Sequence, residues 1–243
     1  FTHGVMNTDN MSILGLIIDY GPYGMLDTYD PHFIPNHTDQ GGRYAFDQQP
    51  AVAHWNLQAL AVALTSFIAT EDLSAALNTY PARFEKRVFA HLTRKLGLFR
   101  EIEGDQSLAI DLLSAMKKGE ADYSLVFRRL SGISSPKKQA LWLDLFNRAG
   151  RELAQTWLTS YQARLEKEKD PERPAKMDAV NPKYVLRNWV AERAIRALED
   201  EGDVSVLNEV FSLITDPYQE EGNKAYAAPP PPTMANIALS CSS

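Results

Sequence analysis

Three oxygen-bearing side chains near the start of the chain have a spacing that suits metal and phosphate chemistry. Asp9 and Asn10 are adjacent, and Asp19 follows at the head of the tripeptide Asp-Tyr-Gly. Mg²⁺ prefers oxygen ligands and usually shares itself between carboxylates, substrate phosphates and water. The stretch "SILGLIID" predicts a β-hairpin that turns at Gly15, which would bring Asn10 and Asp19 to one ion. The sequence therefore predicts a magnesium site for a nucleotide.

The same spacing occurs in the catalytic loop of protein kinases. There, a His-Arg-Asp motif is followed by an Asn and then by Asp-Phe-Gly; the first Asp orients the acceptor hydroxyl, and the other two residues hold metal ions. In this chain His3 precedes Asn10 by the kinase offset, and Tyr20 replaces the Phe. Val5 occupies the position of the catalytic Asp and cannot accept a proton. Asp9 is the nearest carboxylate, and we expect it to be the general base.

Each polar cluster also has a purely structural interpretation that involves no chemistry. Asn and Asp favour turns, so the motif residues could form a turn and a strand end without any chemistry. A loop with two His and two Asp could hold a metal, but its spacing matches no zinc pattern and favours a solvated loop. The segment Gly41-Gly42-Arg43 could contact a phosphate, although a simple turn is the favoured interpretation. The residues of the candidate metal loop are Asp30, His32, His37 and Asp39.

Composition limits the classes of function. The 243 residues are 44% hydrophobic and 23% charged, as in ordinary globular proteins. The net charge of −6 disfavours nucleic-acid and membrane-surface partners, because phosphate contacts need clustered Lys and Arg. The apolar stretch that starts at Leu57 is amphipathic and too short to span a bilayer. Cys241 is the single cysteine, so the chain cannot form an internal disulfide.

Periodicity predicts a mainly α fold with a short β-hairpin in a loop-rich N-terminal segment. Residues 1–50 are rich in Gly, Pro, Asp and Asn, and apolar residues recur at helical spacing after Pro50. We expect the four tryptophans to be packed in the core. Further helices are predicted over Tyr80–Leu96, over Gln106–Lys118, from Ser135 through Tyr161, from Asn181 to Gly202 and over Val204–Ile214.

The chain is predicted to contain one domain with a linker and a tail. Residues 1–165 would form the catalytic part, with the motif at 3–21 and the helical body from 50. Residues 166–176 are charged and contain two prolines, which favours an exposed linker. Residues 177–215 would be C-terminal helices of the same domain, and residues 216–243 an extended, proline-rich tail that carries Cys241.

Longer segments resemble one known family. The chain from His3 to Ser243 is similar to the selenoprotein O (SelO, or YdiU-like) family. The segments that carry this resemblance are "HGVMNTDNMSILGLIIDYGPYGMLDTYDPHFI", "GRYAFDQQPAVAHWNLQALA", "NPKYVLRNWVAERAI" and the terminal "SCSS".

The resemblance implies a protein-kinase-like fold, of which this chain would be the C-lobe, and an AMP-transferring activity. Members move AMP from ATP to Ser, Thr or Tyr hydroxyls of proteins and release pyrophosphate, with Mg²⁺, or possibly Mn²⁺, as cofactor. By match to the family motifs, Asp9 corresponds to the proton acceptor. Asn10 and Asp19 correspond to the magnesium ligands, and Asp19 also to an ATP contact. The resemblance implies a cytoplasmic protein if bacterial and a mitochondrial one if eukaryotic.

Two departures from the family pattern affect these expectations. The family's nucleotide lobe, with its phosphate loop, Lys–Glu pair and two Arg, is not in the chain, so we expect weak or no catalysis from the chain alone. Pro35 stands where bacterial relatives can have a Cys, so Cys241 has no redox partner here; Ser243 replaces a selenocysteine. Two other functions remain open: a catalytically dead, kinase-like binding or regulatory module, and a kinase that transfers a phosphoryl group.

Overall fold

The structure is a computed structural model that describes residues 1–16, 20–235 and 237. Within these residues the chain is mainly helical, as predicted. The α-helices are α1 (Gln49–Leu64), α2 (Thr70–Asn78), α3 (Tyr80–Lys95), α4 (Asp105–Lys118), α5 (Tyr123–Leu130), α6 (Pro136–Leu143), α7 (Arg148–Leu165), α8 (Arg173–Asp178), α9 (Asn188–Glu201) and α10 (Ser205–Thr215). Short 3-10 helices cover Thr8–Asn10, Phe46–Gln48, Lys224–Ala227 and Pro232–Met234. No helix of the described residues is long and apolar enough to cross a membrane.

Strand pairing in the described residues is limited to two isolated antiparallel bridges, Thr2–Gly24 and Thr28–Asp122. A turn lies at Gly15, as predicted, because Gly15 N–H donates to Ser12 C=O at 3.0 Å and Gly15 has a φ of +70°. The described part of this segment contains no strand. Residues 17–19, which include much of the second predicted strand and Asp19 itself, lie outside the described residues.

The chain divides into two compact units. The first contains Phe1–Gly24 and Pro31–Val88, and the second contains Met25–Asp30 and Phe89–Ile237. The predicted site residues Asp9 and Asn10 belong to the first unit. The long helices α4, α7, α9 and α10 belong to the second.

Aromatic stacking forms the centre of the second unit. Trp142 stacks on Trp157 with ring centroids 5.6 Å apart, and Trp157 stacks on Tyr161 at 4.8 Å. All three are buried, and each polar atom reaches a backbone carbonyl, for example Trp157 Nε1 to Leu108 O at 2.7 Å. Buried aromatic residues with a polar atom usually find such a partner. Trp189 is also buried, but the prediction of a core position is wrong for Trp55, which is 50% exposed.

The single helix predicted from Ser135 through Tyr161 is in fact two helices. Ser135 caps α6 as predicted, with Lys138 N–H donating to its Oγ at 3.4 Å. However, α6 ends at Leu143, and Asn147 starts α7 by accepting the N–H groups of Ala149 and Gly150 at 2.9 and 3.2 Å. In a continuous helix Asn147 would lie in the interior, where Asn is unfavourable. Asn is instead one of the preferred residues at a helix N-cap.

The prediction that Asn181 caps a helix is also wrong. Asn181 is buried, its Nδ2 donates to Lys95 C=O at 2.9 Å, and its Oδ1 accepts from Lys95 Nζ at 3.2 Å. Helix α9 starts only at Asn188. Its predicted end is confirmed, because Gly202 follows the last turn with a φ of +67°.

The segment 166–176 is not an exposed linker throughout. Glu168 is 4% exposed, and its carboxylate pairs with Arg164 at 3.1 Å. Arg164 also makes a bidentate pair with Asp105, at 2.6 and 2.9 Å. Helix α8 then begins inside the segment, at Arg173. The high density of charge in this sequence indicated solvent exposure, but part of it belongs to a buried ionic cluster.

A second buried ionic cluster joins residues 25–30 to the rest of the second unit. The Arg187 guanidinium, 1% exposed, contacts Asp27 Oδ1 at 2.5 Å and Asp122 Oδ1 at 2.9 Å. Asp122 also caps α5, and Tyr123 N–H donates to Asp27 C=O at 3.0 Å. Burial raises the pKa of the Asp27 carboxyl, and contact with Arg187 acts in the opposite direction. Arg187 therefore supplies the positive charge that balances the carboxylates of Asp27 and Asp122.

Replacing Arg187 should strongly destabilise the second unit. The change Arg187→Met leaves Asp122 and Asp27 without their cation, and breaking one side of a buried ion pair costs about 3–5 kcal/mol of unfolding free energy. Urea unfolding followed by tryptophan fluorescence measures this loss. The matched control is Arg196→Met, because Arg196 is an exposed arginine that pairs with Glu192 on the surface and should matter little. Equal losses in the two variants would contradict the role of Arg187.

Lys95 should make stability depend on pH. Its Nζ lies over the rings of Tyr123 and Phe127 at 5.7 and 5.2 Å, and burial lowers its pKa from 10.5 to about 8. Between these values the unfolded chain binds more protons than the folded chain, so the free energy of unfolding should rise with pH. One pKa unit corresponds to about 1.4 kcal/mol.

The measurement is the unfolding free energy of the parent protein and of Lys95→Met at pH 7.5 and 9.5. The parent should gain about 1–2 kcal/mol relative to the variant over this interval. Lys86→Met, at an exposed lysine of α3, is the control. Its unfolding free energy should change with pH by the same amount as that of the parent. A constant difference between the parent and Lys95→Met would show that Lys95 does not titrate differently in the two states.

Candidate functional site

The two ends of the predicted motif lie side by side. Thr2 and Gly24 exchange both backbone hydrogen bonds, each at 2.8 Å. Gly4 has a φ of +85°, and a Cβ there would stand 2.7 Å from Pro22 O. Only glycine allows this approach without strain. The segment that begins at His3 is thereby closed against the residues that directly follow Asp-Tyr-Gly.

Asp9 and Asn10 share one 3-10 turn, Thr8–Asn10. Asn10 N–H donates to Asn7 C=O at 3.1 Å, and Asn10 Nδ2 donates to Val5 C=O at 2.9 Å. Because Nδ2 is engaged by the backbone, Oδ1 is the end of the Asn10 amide that remains for a metal ion. Asp9 is exposed and Asn10 is half-buried. A carboxylate and an amide oxygen thus occupy neighbouring positions.

Amide side chains from other parts of the first unit hold this irregular segment. Gln49, at the start of α1, accepts His3 N–H at 3.0 Å through Oε1. Asn36 Nδ2 donates to Gly4 C=O at 3.5 Å, and Asn56 Nδ2 donates to Met6 C=O at 2.8 Å. These backbone groups have no helix or sheet partner, so side chains supply the hydrogen bonds that a folded backbone needs.

A further contact comes from the loop at 36–44. The Asp39 carboxylate accepts the N–H groups of Arg43 and Tyr44 at 3.0 and 2.7 Å, and the Tyr44 hydroxyl donates to Asn7 Oδ1. Gly42 N–H donates to Asp39 C=O at 3.2 Å, which supports the turn interpretation of Gly41-Gly42-Arg43. The Arg43 guanidinium lies 5.0 Å from the centroid of the Trp55 ring, an exposed cation–π contact.

The donor set of the motif fits magnesium in kind. Asn10 and Asp19 offer an amide and a carboxylate oxygen, the hard ligands that Mg²⁺ prefers. Asp19 lies outside the described residues, so its distance from Asn10 stays a prediction. No group of three His, Cys, Asp or Glu side chains converges anywhere in residues 1–16, 20–235 and 237. In the His- and Asp-containing loop, His32 Nδ1 instead pairs with Asp47 Oδ2 at 3.0 Å.

The residues that make hydrogen bonds to the motif segment were not predicted from the sequence. Asn56 is 6% exposed and lies one helical turn after the buried Val52, on the inner face of α1. A polar residue among the mostly apolar residues of a helix indicates a buried hydrogen bond, and this was the available clue. Tyr44 and Gln49 offer no comparable clue, because both lie in or beside a loop where polar residues are common.

Comparison with known proteins identifies the family. A family model described as "Protein adenylyltransferase SelO" matches residues 1–215. A protein of Myxococcus xanthus named "Protein nucleotidyltransferase YdiU" is 44% identical over 248 residues, which cover 100% of this chain and 50% of the relative. Proteins of the same name from Salmonella arizonae and Salmonella typhi are 44% identical over 245 residues and are also covered to 50%. The chain thus spans about half the length of these curated relatives. By sequence, this chain belongs to the SelO family of protein adenylyltransferases.

Proposed function

We propose that the complete enzyme containing this chain transfers AMP from ATP to Ser, Thr or Tyr hydroxyls of proteins, with Mg²⁺ or Mn²⁺ as the cofactor. The observation that carries the proposal is the Thr8–Asn10 turn, in which an exposed carboxylate adjoins an amide whose nitrogen is engaged by Val5 C=O. The activity is assigned to the complete enzyme, and transfer by these 243 residues alone is expected to be weak.

In the proposed reaction, the acceptor hydroxyl oxygen attacks the α-phosphorus of ATP. A new P–O bond to the acceptor forms, the bond from the α-phosphorus to the oxygen that bridges to the β-phosphorus breaks, and pyrophosphate leaves. The hydroxyl proton goes to the Asp9 carboxylate, which is exposed and open to an incoming protein. A bound magnesium ion would neutralise phosphate charge, held by the oxygens of Asn10 and Asp19. Val5 takes part only through its backbone carbonyl, which orients the Asn10 amide.

The position of the label on ATP separates the proposed reaction from its rivals. The complete enzyme should label acceptor proteins from ATP that is radioactive at the α-phosphate and not from ATP that is radioactive at the γ-phosphate. Asp19→Ala should abolish this labelling, because the proposal makes Asp19 a metal ligand. Label from the γ-phosphate alone would instead indicate a phosphoryl-transferring kinase. Absence of Mg²⁺-dependent ATP binding would indicate a dead binding module, and unchanged labelling by Asp19→Ala would overturn the site assignment.

Replacing Asp9 should slow chemistry more than it weakens nucleotide binding. In the complete enzyme, Asp9→Asn keeps the size of the side chain but removes the proton acceptor, and loss of general-base catalysis typically costs about 10²–10⁴-fold in kcat. The measurement is kcat and the ATP dissociation constant of the same preparation. Asp111→Asn, at an exposed carboxylate of α4, is the matched control and should retain the parent rate. An equal loss of rate and ATP affinity would make Asp9 an organiser of the metal site and not a base.

A further inference from the structure

Asn56 contacts a residue on each side of the Thr8–Asn10 turn through one atom, Nδ2. It lies in the middle of α1 and is 6% exposed. Its Nδ2 is 2.8 Å from Met6 O and 2.7 Å from Met11 Sδ. Met6 and Met11 stand on either side of residues 7–10, so this single amide spans the segment that carries Asp9 and Asn10.

The contacts of Asn56 depend on its two N–H groups. One N–H satisfies a backbone carbonyl, and the other faces a thioether sulfur, which is a weak acceptor. The Oδ1 of Asn56 is buried and accepts no hydrogen bond from the described residues. A buried acceptor without a partner is unfavourable, so packing alone would favour an apolar side chain at this position. The donor end of the amide is therefore the part of Asn56 that the structure uses.

The connection from Asn56 to the reacting groups is short. Met6 follows Val5, whose carbonyl accepts Asn10 Nδ2 at 2.9 Å. Fixing Met6 O thus fixes the adjacent peptide that orients the Asn10 amide. Helix α1 is a rigid support for this contact, since it runs for 16 residues and has Pro50 in its first turn.

We propose that Asn56 is a positioning residue for AMP transfer, which sets the place of Asn10 and Asp9 without touching nucleotide or metal. The inference rests on the proposed function, because it assigns Asn56 a role in that reaction. A displacement of catalytic groups by about 1 Å can cost on the order of 100-fold in rate. Loss of the Asn56 contacts should therefore lower kcat far more than it lowers stability.

The test uses the complete enzyme and three substitutions in α1. Asn56→Leu removes both donors while keeping the number and branching of side-chain heavy atoms, and Asn56→Ala removes the whole amide. Ala61→Gly is the matched control, because Ala61 is a buried residue later in the same helix, and glycine destabilises a helix interior. Each protein is assayed for AMP transfer from α-labelled ATP, for the metal concentration that gives half the maximal rate, and for its urea midpoint.

Asn56→Leu should lower kcat by about 10- to 100-fold and raise the metal requirement, while the KM for ATP at saturating metal changes less than about threefold. Ala61→Gly should lose a similar amount of stability and keep its rate. If Asn56→Leu, or Asn56→Ala should the Leu variant unfold, retains the rate of Ala61→Gly, Asn56 is only a packing residue and the inference fails. If the parent enzyme transfers no AMP, the proposed function fails as well, so the two failures are distinguishable.

Discussion

The candidate site depends on one constraint, which is that an irregular backbone must still make its hydrogen bonds. Residues 3–7 lie in neither a helix nor a strand, so their N–H and C=O groups cannot pair by a regular ladder. Gln49, Asn36 and Asn56 satisfy three of these groups with amide side chains. Two of these three residues belong to α1, so one helix largely positions the segment that carries the Asp9–Asn10 turn. Loops that carry function are usually positioned by a rigid element in this way.

The second unit solves a different problem, the burial of charge. Arg164 and Arg187 are 8% and 1% exposed, and each faces two carboxylates. Around Arg164 the carboxylates are also well supplied with backbone donors, since Glu168 Oε1 accepts Phe99 N–H at 2.9 Å. Such clusters add little net stability compared with apolar packing, but they are costly to break. One cluster joins residues 25–30 with α5 and the loop before α9, and the other joins α4 with α7.

Local signals in the sequence predicted the structure well wherever a single residue decides the outcome. Pro50, Ser135 and Gly202 mark helix ends because their backbone preferences act without tertiary help. The turn preference of Asn and Asp likewise agrees with the 3-10 turn that contains Asp9 and Asn10. The predictions failed where one residue type has two uses. Asn147 caps a helix while Asn181 is a buried hydrogen-bonding residue, and nothing in their immediate neighbours separates the two roles.

Exposure was the other source of error, because it depends on packing partners that are distant in sequence. Glu168 lies in a charged stretch yet is buried, and it pairs with Arg164, which precedes it by one helical turn. Arg164 also pairs with Asp105, which is far away along the chain. Trp55 lies in a helix with an apolar face, yet it faces outward and contacts Arg43. Asn56, its neighbour, takes the inner position. Helical periodicity gives the angle between these two residues but not which of them faces the core, and this choice determines whether the site has its support.

The substitution of Val for the kinase Asp has a structural consequence for the proposed chemistry. In kinases the base and the metal-binding Asn are separated along the catalytic loop. Here the proposed base, Asp9, adjoins the proposed ligand, Asn10, within one 3-10 turn. The carbonyl of Val5 orients this turn through Asn10 Nδ2. A base and a ligand on adjacent residues must move together. In the proposed reaction, one set of contacts to residues 5–7 therefore controls both proton removal and metal binding, and Val5 acts through its backbone carbonyl.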